Sequence, residues 1–287
     1  MLIVAFSNLL NSFIELKFTE KQLLNLRKIK ITMLKKQIPN LLTLLNLLSG
    51  TIAVYFAVKE ELVIAACFVF LGIFFDFFDG FAARLLKVHG ELGKQLDSLA
   101  DVVTSGVVPG IVLFQMISKS VENNTWENAI NSILKTGHEN YFTSTFFISL
   151  IGLLFTMGAA YRLAKFNIDE RQTSSFIGLP TPAAALVVLS LPLILNYSDN
   201  ELVASLIQNV WFLIGLSMLL CYLMNAEIPL FSLKFKDYNW KKNKIKYLFI
   251  IFTAILSTLF QFIAIPIVIL LYVLMSTIEN KIFKNLD

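Results

Sequence analysis

Charge is scarce in this chain. Asp, Glu, Lys and Arg together make up only 15% of its 287 residues, against roughly 25% in an average soluble domain. With 56% hydrophobic residues and a mean hydropathy of +0.71, that shortage excludes an ordinary water-soluble fold, whose surface needs the missing charge. Cysteine is almost absent. Cys67 and Cys221 both sit inside apolar runs, with no CxxC or Cys/His spacing around them. That excludes a disulfide framework and a thiolate metal site. Histidine is as rare: His89 falls at a predicted turn and His138 in a distant polar stretch. No short apolar core followed by a small-residue cleavage pattern is present, so a signal peptide is not expected.

What remains is a series of apolar runs near the length that crosses a bilayer. They fall at 39–58, 62–84, 92–118, 143–164, 181–197, 203–225, 246–261 and 264–280. The last two are separable only at Ala264-Ile265-Pro266 and also read as one long broken segment. In lipid the backbone must satisfy its own polar groups, so each run is expected to be helical. The expected fold is an all-α polytopic membrane bundle of about eight transmembrane helices.

Basic residues orient it. Lys35-Lys36, Arg84/Lys87, Lys165/Arg171, the lysines from Lys234 to Lys246, and Lys281/Lys284 occupy one set of connections. The other set carries Lys59-Glu60-Glu61, the polar 119–142 stretch and Asp199/Glu201. The alternation puts both ends and the basic connections in the cytoplasm. Residues 1–32 carry too many charges for a span. They read either as an amphipathic N-terminal extension lying in the interface or as a start-site artefact, with the working protein beginning at Met33. Residues 33–287 form the membrane domain.

Against this apolar background stand four acids. Asp76 and Asp79 close the second run, and Asp97 and Asp101 open the third. Each costs roughly 2.5–3.5 kcal/mol at mid-membrane on insertion scales, so such residues are functional by default. At 100° per residue, Asp76, Asp79, Gly80 and Ala83 share an arc of roughly 100°. Gly93, Asp97 and Asp101 form an i, i+4, i+8 stripe. Folding the chain at Val88-His89 brings Asp79 level with Asp97 and Asp76 level with Asp101. Four facing carboxylates cannot all ionise in a low dielectric without a cation. Oxygen-only donors suit one or two Mg2+ or Mn2+ ions better than zinc, and such ions polarise a diphosphate.

The string Asp76-x2-Asp79-Gly80-x2-Ala83-Arg84-x8-Gly93-x3-Asp97-x3-Asp101 resembles, without departure, the signature of the CDP-alcohol phosphatidyltransferases. The resemblance implies a six-helix core, here with two further helices, around a site open to the cytoplasmic interface. It implies that Asp76, Asp79, Asp97 and Asp101 hold metal and that Asp101 is also the base on the acceptor hydroxyl. Gly80, Ala83 and Arg84 would hold the cytidine diphosphate, and a homodimer is implied.

Three further segments bear on the acceptor. They are 38–46 with Asn40, Thr43 and Asn46; 162–167 with Arg162, Lys165 and Asn167; and 176–185 with Gly178, Pro180 and Pro182. Together these resemble the membrane-embedded phosphatidylserine synthases of bacteria and archaea. In related phosphatidylglycerolphosphate synthases an arginine commonly stands where this chain has Asn46. The implied substrates are CDP-diacylglycerol and L-serine within membrane lipid, with no nucleic acid. Asn40 and Thr43 either bond the cytidine or ribose or cap a helix. Arg162 and Lys165 either attract a phosphate or the serine carboxylate, or anchor the helix at the interface. The rival acceptors are glycerol-3-phosphate and an inositol compound. Outside the enzymes the rival is a cation transporter, which should show paired broken helices in a repeat; one acidic hairpin without a second copy does not fit.

Overall fold

The computed structural model describes residues 20–88, 90–122, 144–169, 176–230 and 243–284. His89, His138, Arg171, residues 1–19 and the lysines from Lys234 to Lys242 lie outside them. The described chain is helical apart from two short strands. Helix α1 (Glu20–Val58) and helix α2 (Leu62–Leu86) form the most extensive helix pair. Small residues let their backbones approach: Ala53 and Ala57 on one side and Ala65, Ala66 and Gly72 on the other are buried. In a bilayer, where lipid is as apolar as leucine, close packing of this kind holds helices together.

Helix α2 stops at Lys87, whose left-handed backbone (φ 54°) caps the carbonyls of Ala83 and Arg84. The chain returns as helix α3 (Glu91–Asp101), a π-helical turn (Val102–Val107) and helix α4 (Val108–Glu122). Together Glu91–Glu122 is 32 residues long, about 48 Å at 1.5 Å per residue. That exceeds a hydrocarbon core of roughly 30 Å. The amphipathic start, with Glu91, Lys94 and Gln95 exposed, is the part with surplus length. A short helix α5 (Ser144–Ser149) and a 3-10 turn lead into helix α6 (Leu154–Ile168).

Strand β1 (Phe176–Ile177) pairs antiparallel with strand β2 (Pro229–Leu230), Phe176 opposite Leu230. Between them, Gly178 takes a positive φ of 75°. A side chain there would strike the carbonyls of Met224 and Ala226. Pro180 then caps helix α7 (Thr181–Tyr197), with Pro182 in its first turn. Helices α8 (Glu201–Ile207) and α9 (Val210–Asn225) are bent by 68° at Gln208.

Five described stretches are long and apolar enough to cross a membrane, six if the bent pair counts as one. Helix α7, at 17 residues, is shorter. The apolar run Ile245–Ile278 is not straight. In a straight helix, positions 23 apart lie about 34 Å away from each other, yet the Phe249 and Tyr272 rings are 5.7 Å apart. The chain therefore doubles back at Gln261 (φ 48°) into α10 (Lys244–Phe260) and α11 (Ala264–Lys284).

One expectation changes. Asn40 and Thr43 do not start a helix, because α1 begins at Glu20 and runs through both. Their capping role falls away.

Candidate functional site

The αL stop at Lys87 makes α2 and α3 a hairpin with its acids facing inward. One oxygen from each of Asp76, Asp97 and Asp101 lies within 4.8 Å of the other two. The fourth acid is placed differently. Asp79 is buried, and Thr43 Oγ1 donates to its Oδ2 at 2.5 Å. The same hydroxyl lies 3.1 Å from the Pro39 carbonyl, but its single proton serves the shorter contact. Asp79 still faces Asp97 electrostatically. The donors at this site are carboxylate oxygens alone. Among the described residues that set matches a hard divalent cation such as Mg2+ or Mn2+ and lacks the nitrogen or sulfur that zinc prefers.

Beside the acids opens a cavity of about 960 Å³. Its walls include Asn40 and Thr43 from α1, Gly80 and Ala83 from α2, and Gly93, Lys94 and Asp97 from α3. Asp97 is thus shared between the cavity and the acid cluster. Arg84 is exposed and does not line the cavity, because one step past Ala83 rotates it by about 100°.

Two glycines give a direct contrast. A methyl added at Gly80 meets nothing within 4 Å, whereas one at Gly72 meets Thr104 Cγ2 at 2.7 Å and Asn46 Oδ1 at 2.9 Å. Gly80→Ala is expected to keep the thermal unfolding midpoint and raise the KM for the nucleotide lipid. Gly72→Ala is expected to lower the midpoint by several degrees. Equal midpoints for the two would contradict this.

Arg162 on α6 is buried, and its Nη1 donates to Thr181 Oγ1 at 3.1 Å. Its Nε has no partner among the described residues. Asp101 attracts it electrostatically, without an ion pair within 4 Å. Lys165, one turn on, turns away to Glu227 at 3.5 Å. Of the two basic residues singled out from the sequence, only Arg162 stands near the acids.

Several participants were not legible beforehand. Lys94 lines the cavity and donates from Nζ to the Asn167 carbonyl at 2.7 Å. Asn167 Nδ2 in turn donates to Ser98 Oγ at 2.8 Å. These bonds tie α3 to the end of α6. The π-helical turn begins directly after Asp101; such turns are frequent at functional sites. The Gly93-Lys94 pair inside the acidic motif was a usable signal for Lys94. Nothing in the local sequence marks the π turn.

A membrane hairpin with carboxylates clustered beside a glycine-lined cavity suits phosphoryl transfer. The family model of the CDP-alcohol phosphatidyltransferases matches residues 36–222, and the chain belongs to this family. It is similar to the CDP-diacylglycerol–serine O-phosphatidyltransferase of Bacillus subtilis (strain 168), 31% identical over 59% of this chain and 80% of that protein. The protein of that name from Helicobacter pylori (strain J99) is 29% identical over 77% of this chain and 81% of its own length. The archaetidylserine synthase of Methanothermobacter thermautotrophicus is 30% identical over 56% of this chain and 60% of its own.

Proposed function

We propose that this chain transfers the phosphatidyl group of CDP-diacylglycerol to the hydroxyl of L-serine, giving phosphatidylserine and CMP. The observation that carries the reading is the juncture of acids and cavity. Asp76, Asp97 and Asp101 converge, and Asp97 also lines the cavity that holds Gly80 and Ala83. In this reading the cytidine diphosphate lies along Asn40, Thr43, Gly80 and Ala83. Arg84, at the rim, attracts its phosphates from outside. The four aspartates hold one or two Mg2+ or Mn2+ ions, which supply positive charge to the diphosphate.

Asp101 is the base. It takes the proton of the serine hydroxyl as that oxygen attacks the lipid-bearing phosphorus. The new bond is serine oxygen to phosphorus. The bond that breaks joins that phosphorus to the bridging oxygen, which leaves on CMP. Transfer is direct, with no enzyme-bound intermediate. Arg162 supports a carboxylate-bearing acceptor: it is buried on the Asp101 side with an unpartnered Nε. Lys165, drawn to Glu227, has the weaker claim.

The wider arrangement belongs to the same proposal. The bundle makes eight crossings, the doubled-back α10–α11 pair supplying two. The site opens at the cytoplasmic face of a bacterial inner (cell) membrane. The working unit is a homodimer, on the strength of the family resemblance.

The acceptor is tested by CMP release. Purified protein with CDP-diacylglycerol and Mg2+ or Mn2+ is offered serine, glycerol-3-phosphate or an inositol compound. Serine is expected to raise CMP release at least tenfold over either alternative. Faster release with another acceptor would replace serine but leave the transferase reading intact. Release with none of them would sink it.

A further inference from the structure

Thr104 has no assigned role, yet it stands at the centre of a packed junction between α1, α2 and the π-helical turn. Its Oγ1 donates to Asn46 Oδ1 at 2.8 Å, with the Asn46 backbone carbonyl farther off at 3.3 Å. The other end of the same amide, Asn46 Nδ2, donates to Asp101 Oδ1 at 3.3 Å. Thr104 and Asn46 are both buried. The junction leaves no slack. Methyls built on Gly50 and Gly72 would collide with Thr104, and the one on Gly72 with Asn46 Oδ1 as well.

An amide has two ends of nearly equal shape, and only its environment decides which faces where. An ionised carboxylate accepts only, so Asp101 needs the N–H2 end. A hydroxyl can serve either end, but here its proton lies on the oxygen end. Thr104 thereby holds Asn46 in the orientation that donates to Asp101. The bond anchors the carboxylate of Asp101 at Oδ1.

We infer that Thr104 is a positioning residue: through Asn46 it fixes the carboxylate of Asp101 for proton transfer from the acceptor hydroxyl. The inference rests on Asp101 acting as the base. Partners that orient a reacting or ligating group commonly change activity 10–100-fold when removed.

The test is a kinetic comparison in the full-length protein. Thr104→Val keeps the shape and removes the proton. Its kcat is expected to fall about tenfold, with the KM for CDP-diacylglycerol unchanged. Thr104→Ser restores at least half of the wild-type kcat. Asn46→Leu lowers kcat at least as far, and Thr104→Val added to it changes kcat by less than twofold. A wild-type kcat in Thr104→Val, or losses that multiply in the double variant, would overturn the inference. So would a kcat loss that Thr104→Ser fails to restore. If Thr104→Val does not fold, Thr104→Ser combined with Asn46→Asp decides. That pair keeps the hydroxyl and removes the N–H2 donor, so a wild-type kcat there also overturns it. Failure of the base reading looks different: Asp101→Asn would then turn over normally, or lose turnover and nucleotide binding together.

Discussion

Asp101→Asn is expected to lower the kcat of CMP release by about a hundredfold or more, the usual scale for losing a positioned base. Binding of CDP-diacylglycerol or CMP should change by only a few-fold. The substitution is isosteric, and Asn46 Nδ2 still finds an oxygen at the Oδ1 position it bonds at 3.3 Å. Thr43, Asn40, Gly80 and Ala83 line the cavity from other helices and are untouched. What disappears is the acceptor for the hydroxyl proton. Turnover and calorimetric nucleotide binding should therefore separate. Turnover at the wild-type rate would remove Asp101 as base. A parallel collapse of both would make it chiefly a metal ligand.

The second large effect is expected at Asp97. It is grouped with Asp76 and Asp101 and also lines the cavity, so in the proposed reaction it would link the cation site to the nucleotide. Dialysis of the wild-type protein against a chelator should bring CMP release to background, and Mg2+ or Mn2+ should restore it. Asp97→Ala should stay at background whatever the metal concentration. Thermal unfolding supplies a readout independent of turnover. A ligand at 100 times its Kd adds about 2.7 kcal/mol, so the wild-type midpoint should rise with added metal. That of Asp97→Ala should not. A metal-dependent rise of equal size in both would place the cation elsewhere.

Much of this site was legible because it is local. Asp76 and Asp79 sit on one helix and Asp97 and Asp101 on the next, so helical periodicity and one turn relate all four. The left-handed turn at Lys87 that closes the hairpin is local as well. Features that depend on a third helix were not legible. Asp79 accepts from Thr43, 36 residues earlier, a bond between helices that no spacing within α2 announces. The Asn46–Thr104 bond spans 58 residues, and no periodicity within either segment announces it. Lys165 looked like a partner of Arg162 at i+3, but Glu227, 62 residues on, draws it away. The split of the last apolar run depends on a contact of the same kind. Hydropathy sees the apolar run Ile245–Ile278 but not that Phe249 meets Tyr272.

The burial of Arg162 beside the acids has a consequence for how the chain is made. Translation proceeds from the N-terminus, and Arg162 follows Asp101 by 61 residues. At roughly 5–20 residues per second, the acidic hairpin leaves the ribosome about 3–12 s ahead of the one buried cation that the described residues set against it. Thr181, which holds that arginine, comes later still. During this interval the acids stand beside the hairpin's own Arg84, Lys87 and Lys94, without the buried arginine that later faces Asp101.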